Sequence, residues 1–182
     1  MMSQPEPWQK AEIPGPTKAL AVSKPEIVVG MIKNAKRPLL IVGPVSAERE
    51  AGGEKEIDII IRIAKNGKIP VVATSGALAD FLKRNYVPFS WMSAVDIANR
   101  LRDADWKGVK GEGQHDLAIF AGMQYYVEWL LLSGLKHFSR GLRTVSLGRY
   151  YQPHANWSFL NLDENAWGQS LKVIENGLGR AQ

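Results

Sequence analysis

The chain of 182 residues contains no cysteine. That excludes a disulfide framework, a thiol nucleophile and any thiolate ligand for zinc or an iron–sulfur cluster, so such chemistry would belong to another polypeptide. Histidine is nearly as scarce: His115, His137 and His154 are scattered without metal-ligand spacing, and each is expected at the surface or in a turn. No metal is expected on this chain. No apolar run approaches the length of a membrane span. Met1 to Pro7 lack the basic start and apolar block of a secretory signal, which predicts a cytoplasmic protein with no membrane contact. Three short motifs are also missing: the G-x-G-x-x-G dinucleotide fingerprint, the Gly-Lys-Ser/Thr of a phosphate loop, and the G-x-S-x-G elbow that would activate a serine such as Ser46 or Ser75.

What charge there is leans positive, at +5 with a pI near 9.5. The basic residues are spread thinly and are not interleaved with aromatics, so a nucleic-acid module rests on net charge alone and an acidic protein partner fits better. Asp103, Asp105, Glu112 and Asp116 surround a glycine-rich stretch, Asp103 to Gln114, and are expected as solvated charge rather than an acid–base pair.

Against these absences stands one repeated pattern: an apolar strand, a glycine, then a helix. Residues 1–22 carry Pro5, Pro7, Pro14 and Pro16, which predicts an extended N-terminal arm whose Trp8 and Ile13 lie against another surface. From residue 23 to 182 a single domain is expected. Ser23 and Glu26 have the spacing of a capping box for a helix that ends before Pro38. Pro38 to Val42 is a continuous apolar strand stopped by Gly43, the signature of a strand covered on both faces. Glu54 to Asn66 is a second helix closed by Asn66-Gly67, followed by a strand from Ile69 to Ala73 and a short helix through Phe81. Ser93 and Asp96 open a helix through Leu101, and His115 to Phe120 forms a third strand before a helix from Tyr125 to Leu132. Arg143 to Leu147 and Asn156 to Leu160 are further strands, and Asp163 caps a terminal helix through Ile174. Alternation of this kind specifies a three-layer α/β fold, a Rossmann-like parallel sheet with helices on both faces.

Ligands of such sheets bind outside the carboxyl ends of the strands. There the sequence places loops at Gly43-Pro44-Val45, Thr74-Ser75-Gly76, Gly122-Met123-Gln124 and Gly148-Arg149. Small residues permit close approach and helix-start amides suit a phosphate, so a nucleotide or flavin is the expected ligand class. No acidic residue closes the second strand to hold a ribose, which argues against a simple nicotinamide dehydrogenase. Tyr125 and Trp129 are expected to pack into the core, and one of Tyr150 and Tyr151 is expected to face a ligand or a subunit.

Taken in order, Ala35 to Gly43, Ala64 to Thr74, Asp103 to Gly108, His115 to Gly122 and Tyr125-Tyr126 resemble the epsilon-subunit family of the archaeal acetyl-CoA decarbonylase/synthase complex. The resemblance runs from about Ser23 to Leu178. It implies a non-catalytic accessory subunit of anaerobic one-carbon metabolism, in methanogenesis and acetyl-CoA turnover. It also implies a fold similar to the NAD/FAD-binding domain of deoxyhypusine synthase. The implied partner is the nickel–iron–sulfur carbon monoxide dehydrogenase alpha subunit, which this chain would stabilise, and FAD at the four-loop edge is the one implied cofactor. Members of the family can show Gly-Thr-Gly after the first strand; here Gly43-Pro44-Val45 lacks one amide donor. A free-standing flavin- or nucleotide-binding enzyme on the same fold is the alternative, and self-association of the isolated chain is expected from its strand edges and aromatics.

Overall fold

Continuous apolar strands can be buried only between two layers of helices, and the apolar strands of this chain are so placed. The computed structural model describes residues 17–179. In chain order the elements are β1 (Leu20–Ala21), α1 (Glu26–Asn34), β2 (Pro38–Val42), a 3-10 turn (Pro44–Ala47), β3 (Glu50–Ala51), β4 (Glu54–Lys55) and α2 (Glu56–Gly67). There follow β5 (Val71–Thr74), α3 (Leu78–Leu82), β6 (Ser90–Met92), α4 (Ala94–Arg102), β7 (Leu117–Ala121), α5 (Tyr125–Phe138), β8 (Arg143–Ser146), β9 (Trp157–Ser158) and α6 (Glu164–Gly179). Seven strands form one sheet in the order β1-β9-β8-β7-β2-β5-β6, and every pairing in it is parallel. The expected Rossmann-like three-layer architecture is therefore present. β3 and β4 make a separate antiparallel hairpin.

Successive side chains of a strand point to opposite faces, and this divides the core in two. Leu40, Val42, Val71, Ala73 and Ile119 pack with α1, α2 and α6, where Ile57, Ile60, Leu171 and Ile174 are fully buried. Leu39, Ile41, Val72 and Phe120 pack with Ile97 of α4 and Leu132 and Leu135 of α5 on the other face. The Trp167 side chain, wholly buried, donates from Nε1 to the Leu147 carbonyl at 2.8 Å and so pins α6 to the end of β8.

Local details depart from expectation at two helix ends. Ser23 does not cap α1; Pro25 occupies the cap position, with no side-chain bond there. The left-handed residue after α2 is Lys68 at φ 51°, and Gly67 remains helical. Ser93 does cap α4, accepting from the Asp96 amide at 3.0 Å, and Asp163 accepts from the Ala166 amide at 2.8 Å at the start of α6. Leu20–Ala21, within the expected arm, is an edge strand on β9, while Trp8 and Ile13 lie outside the described residues.

Candidate functional site at the carboxyl edge of the sheet

The strand order places a reversal point at the centre of the sheet. From β2 the chain moves outward through β5 and β6; it returns to pair β7 on the other side of β2, then moves outward through β8 and β9. A crevice between the carboxyl ends of β2 and β7 is where ligands of open α/β sheets bind. The register pairs Val42 with Ala121, which brings Gly43 and Gly122 level with each other.

These two glycines pack against one another. A Cβ on Gly43 would lie 2.4 Å from the Gly122 carbonyl oxygen, and one on Gly122, at φ 63°, would lie 2.3 Å from Ser46 Cβ. The Gly43 amide donates to Ala121 O and the Val45 amide to Gly122 O, both at 2.9 Å, while Ser46 Oγ donates to Gly43 O at 2.7 Å. Pro44 contributes no amide. Met123 is buried, and Arg49 Nη2 donates to its carbonyl at 2.9 Å. In the loop after β2 the Gly43 and Val45 amides, which could otherwise face a pyrophosphate, are thus already used within the protein.

The other expected loops are adjacent but differently employed. Gly76 lies against Pro44, where an added Cβ would stand 3.2 Å from Pro44 Cβ, so the Thr74-Ser75-Gly76 loop abuts the first. Thr74 is buried; Ser75, Gly76 and Gln124 are exposed. Gly148 is buried near Glu128, whereas Arg149 turns away: its Nε donates to Leu162 O at 3.2 Å and its guanidinium lies 4.9 Å from the Tyr150 ring centre. Tyr150 is exposed, while Tyr151 is buried and its hydroxyl donates to Ala19 O at 2.7 Å.

Beneath the crevice lies a buried charge cluster that the sequence pattern does not announce. Glu56, the first residue of α2, is 0% exposed, and Glu128 on α5 is 2% exposed. Arg49 Nη1 stands 3.9 Å from Glu56 Oε2, and neither Glu56 oxygen has a hydrogen-bond partner. Burial pushes the carboxyl up to about 7, against the opposing Arg49 charge and a Gly122 amide contact too loose for a hydrogen bond. Burial likewise pushes Glu128 up to about 7, against the stabilising Ser146 hydroxyl and the Arg49 charge, and the Glu128 charge raises Glu56 further. The one trace of this cluster in the sequence is the lone carboxylate of Glu128 inside the apolar run Tyr125 to Leu132.

Of the histidines expected at the surface or in a turn, His137 is exposed and His154 lies in a turn, though buried; only His115 departs from expectation. His115 is buried: its Nε2 accepts from the Val109 amide at 3.2 Å, which leaves Nδ1 to donate to Arg37 O at 2.9 Å. His154 is buried edge-on against Trp129, with ring centres 4.7 Å apart, and burial lowers its pKa to about 4. Asp116 accepts from the Lys36 and Arg37 amides at 2.8 and 2.7 Å and so holds the entry to β2 in place. Among the described residues no group of three or more His, Asp or Glu side chains could hold a metal ion.

The family model described as CO dehydrogenase beta subunit/acetyl-CoA synthase epsilon subunit matches residues 1–175. The chain belongs to this family. Among its relatives is the acetyl-CoA decarbonylase/synthase complex subunit epsilon of Methanothermobacter thermautotrophicus, 37% identical over 168 residues that cover 92% of this chain and 93% of that protein. The corresponding subunit of Methanothrix soehngenii is 37% identical, with 88% of this chain and 83% of that protein covered. Subunit epsilon 1 of Archaeoglobus fulgidus is also 37% identical, with 91% and 89% covered. The resemblance that the strand and loop segments imply is thereby established. In this epsilon-family chain Gly43, Gly122, Ser46 and Met123 pack against one another at the sheet crevice. No helix among the described residues is long and apolar enough to cross a membrane.

Proposed function

We propose that this epsilon-family chain is a non-catalytic accessory subunit that docks onto the nickel–iron–sulfur carbon monoxide dehydrogenase alpha subunit and stabilises it. One observation carries this most directly. A chain with no cysteine cannot ligate an iron–sulfur cluster through thiolate, so the redox metals of a carbon monoxide dehydrogenase reside in another polypeptide. The family description joins this chain to such an enzyme. FAD is left out of the reading because residues 43–45 offer a flavin pyrophosphate no amide: those of Gly43 and Val45 donate within the protein and Pro44 has none.

The test is reconstitution. Purified chain mixed with the purified alpha subunit is expected to co-elute with it and to lengthen the half-life of carbon monoxide oxidation on heating, with no turnover and no flavin absorption band from the chain alone. Failure of the two proteins to associate overturns the proposal. Self-association of the isolated chain belongs to the same reading; Tyr126 and Leu130, one turn apart on α5 and both exposed, offer a surface for it, and sedimentation measures it.

A further inference from the structure

A separate concavity lies at the opposite, amino edge of the sheet. A cleft of about 640 Å³ opens below the starts of β2 and β5, between the ends of α1, α2 and α6 and the 107–114 loop. Six cations line it: Lys33, Lys36, Arg37, Lys65, Lys68 and Lys110, with Glu112 as the one carboxylate. Among the described residues, every ion pair within 4.0 Å lies elsewhere, so none of these six is neutralised by an Asp or Glu. The helix ends account for part of the arrangement, because a C-terminus carries roughly half a negative charge. Three such ends offset about one and a half of the six positive charges. The surplus remains.

The cleft continues into a second concavity of about 330 Å³, which shares Lys65, Lys68, Pro70 and Lys110 with it and adds Tyr86, Val87 and Phe89. Val87 is 75% exposed and Phe89 52% exposed, on the approach to the edge strand β6. Lys65 and Lys110 stand over this shelf, with Nζ 5.8 Å from the Tyr86 ring centre and 5.9 Å from that of Phe89. A solvated charged face has no reason to be concave or to border an exposed aromatic and valine. A compact phosphate would seek helix N-termini and backbone amides, whereas this cleft presents helix C-termini with long, flexible ammonium groups around the rim.

We infer that the joined amino-edge cleft and Val87–Phe89 shelf form a docking surface for an acidic protein segment bearing an apolar anchor, the carboxylates meeting Lys65, Lys68 and Lys110 and the anchor covering Phe89. The inference rests on the accessory-subunit reading and supplies the surface that reading lacks. Charge complementarity of this kind speeds encounter and is weakened by salt.

The experiment measures affinity of the full chain for the alpha subunit across a salt series. Lys65→Glu with Lys110→Glu is expected to weaken binding by on the order of tenfold and to flatten its salt dependence. Phe89→Ser is expected to weaken it at every salt concentration without lowering the melting temperature, since the side chain is exposed. Lys18→Glu with Lys24→Glu, equal in charge and remote from the cleft, leaves binding unchanged. If the Lys65/Lys110 variant binds like wild type, this surface is wrong and the subunit reading stands. If wild type does not bind the alpha subunit, the subunit reading is wrong, and a fluorescent peptide of alternating Glu and Leu then decides the surface. Peptide binding that is lost in both the Lys65/Lys110 and Phe89 variants supports it; no binding, or displacement by ATP that is undiminished in Phe89→Ser, overturns it.

Discussion

Two carboxyl groups set the pH behaviour of the fold. Glu56 and Glu128 are raised from 4.5 to about 7 by burial. Between those values the native state holds protons that the unfolded chain releases, so the contribution of these two groups is fully present below pH 4.5 and is lost as pH rises through 7. Each shift corresponds to about 3 kcal/mol. Replacing both residues with glutamine removes the ionisation: the double variant is expected to exceed wild type by a few kcal/mol in urea unfolding near pH 8 and to match it near pH 4.5. His154 acts with opposite sign. Its pKa is lowered to about 4, so its contribution is present above 6.5 and is lost as pH falls toward 4. The glycine pair makes a second residue-level prediction. Alanine at Gly122 would meet Ser46 Cβ at 2.3 Å in a left-handed backbone, and Gly122→Ala should lower stability by about 2 to 4 kcal/mol in thermal or urea unfolding.

Helix starts show how far local pattern reaches. Ser23 and Ser93 have the same capping spacing, yet only Ser93 accepts a bond from its helix. Ser93→Ala is expected to cost about 1 kcal/mol and Ser23→Ala close to nothing, as measured by chemical denaturation. β2, β5 and β7 were legible because burial on both faces demands unbroken apolar runs, and α2 because Ile57, Ile60, Ile61 and Ala64 recur at helical spacing. β6 was not: Ser-Trp-Met has three residues, and an edge strand with an exposed tryptophan lacks both cues. The β3–β4 hairpin was missed as well, since its signal is the Gly52-Gly53 pair, both at positive φ, rather than periodicity. That hairpin rests on Gly168 of α6, where a Cβ would stand 2.5 Å from the Ala51 carbonyl carbon and the Gly52 nitrogen. At the carboxyl edge the four loops were placed correctly as neighbours of strand ends. The packing of Gly43 against Gly122 was invisible, because it depends on the register of β2 against β7, about eighty residues apart.

The whole molecule is closed at one margin by the segment before α1. β1 pairs with β9, Ala19 and Val22 are buried, and the Tyr151 hydroxyl bonds Ala19 O. A chain beginning at Ser23 is expected to fold with a lowered melting temperature and faster amide exchange in β9, since it uncovers that strand's edge. An unchanged melting temperature would show the segment to be dispensable. The same pairing fixes an order of events during synthesis. Leu20 leaves the ribosome long before its partner Trp157, so while β2, β5 and β6 can associate as they emerge, β1 must wait, unpaired, until β9 is made.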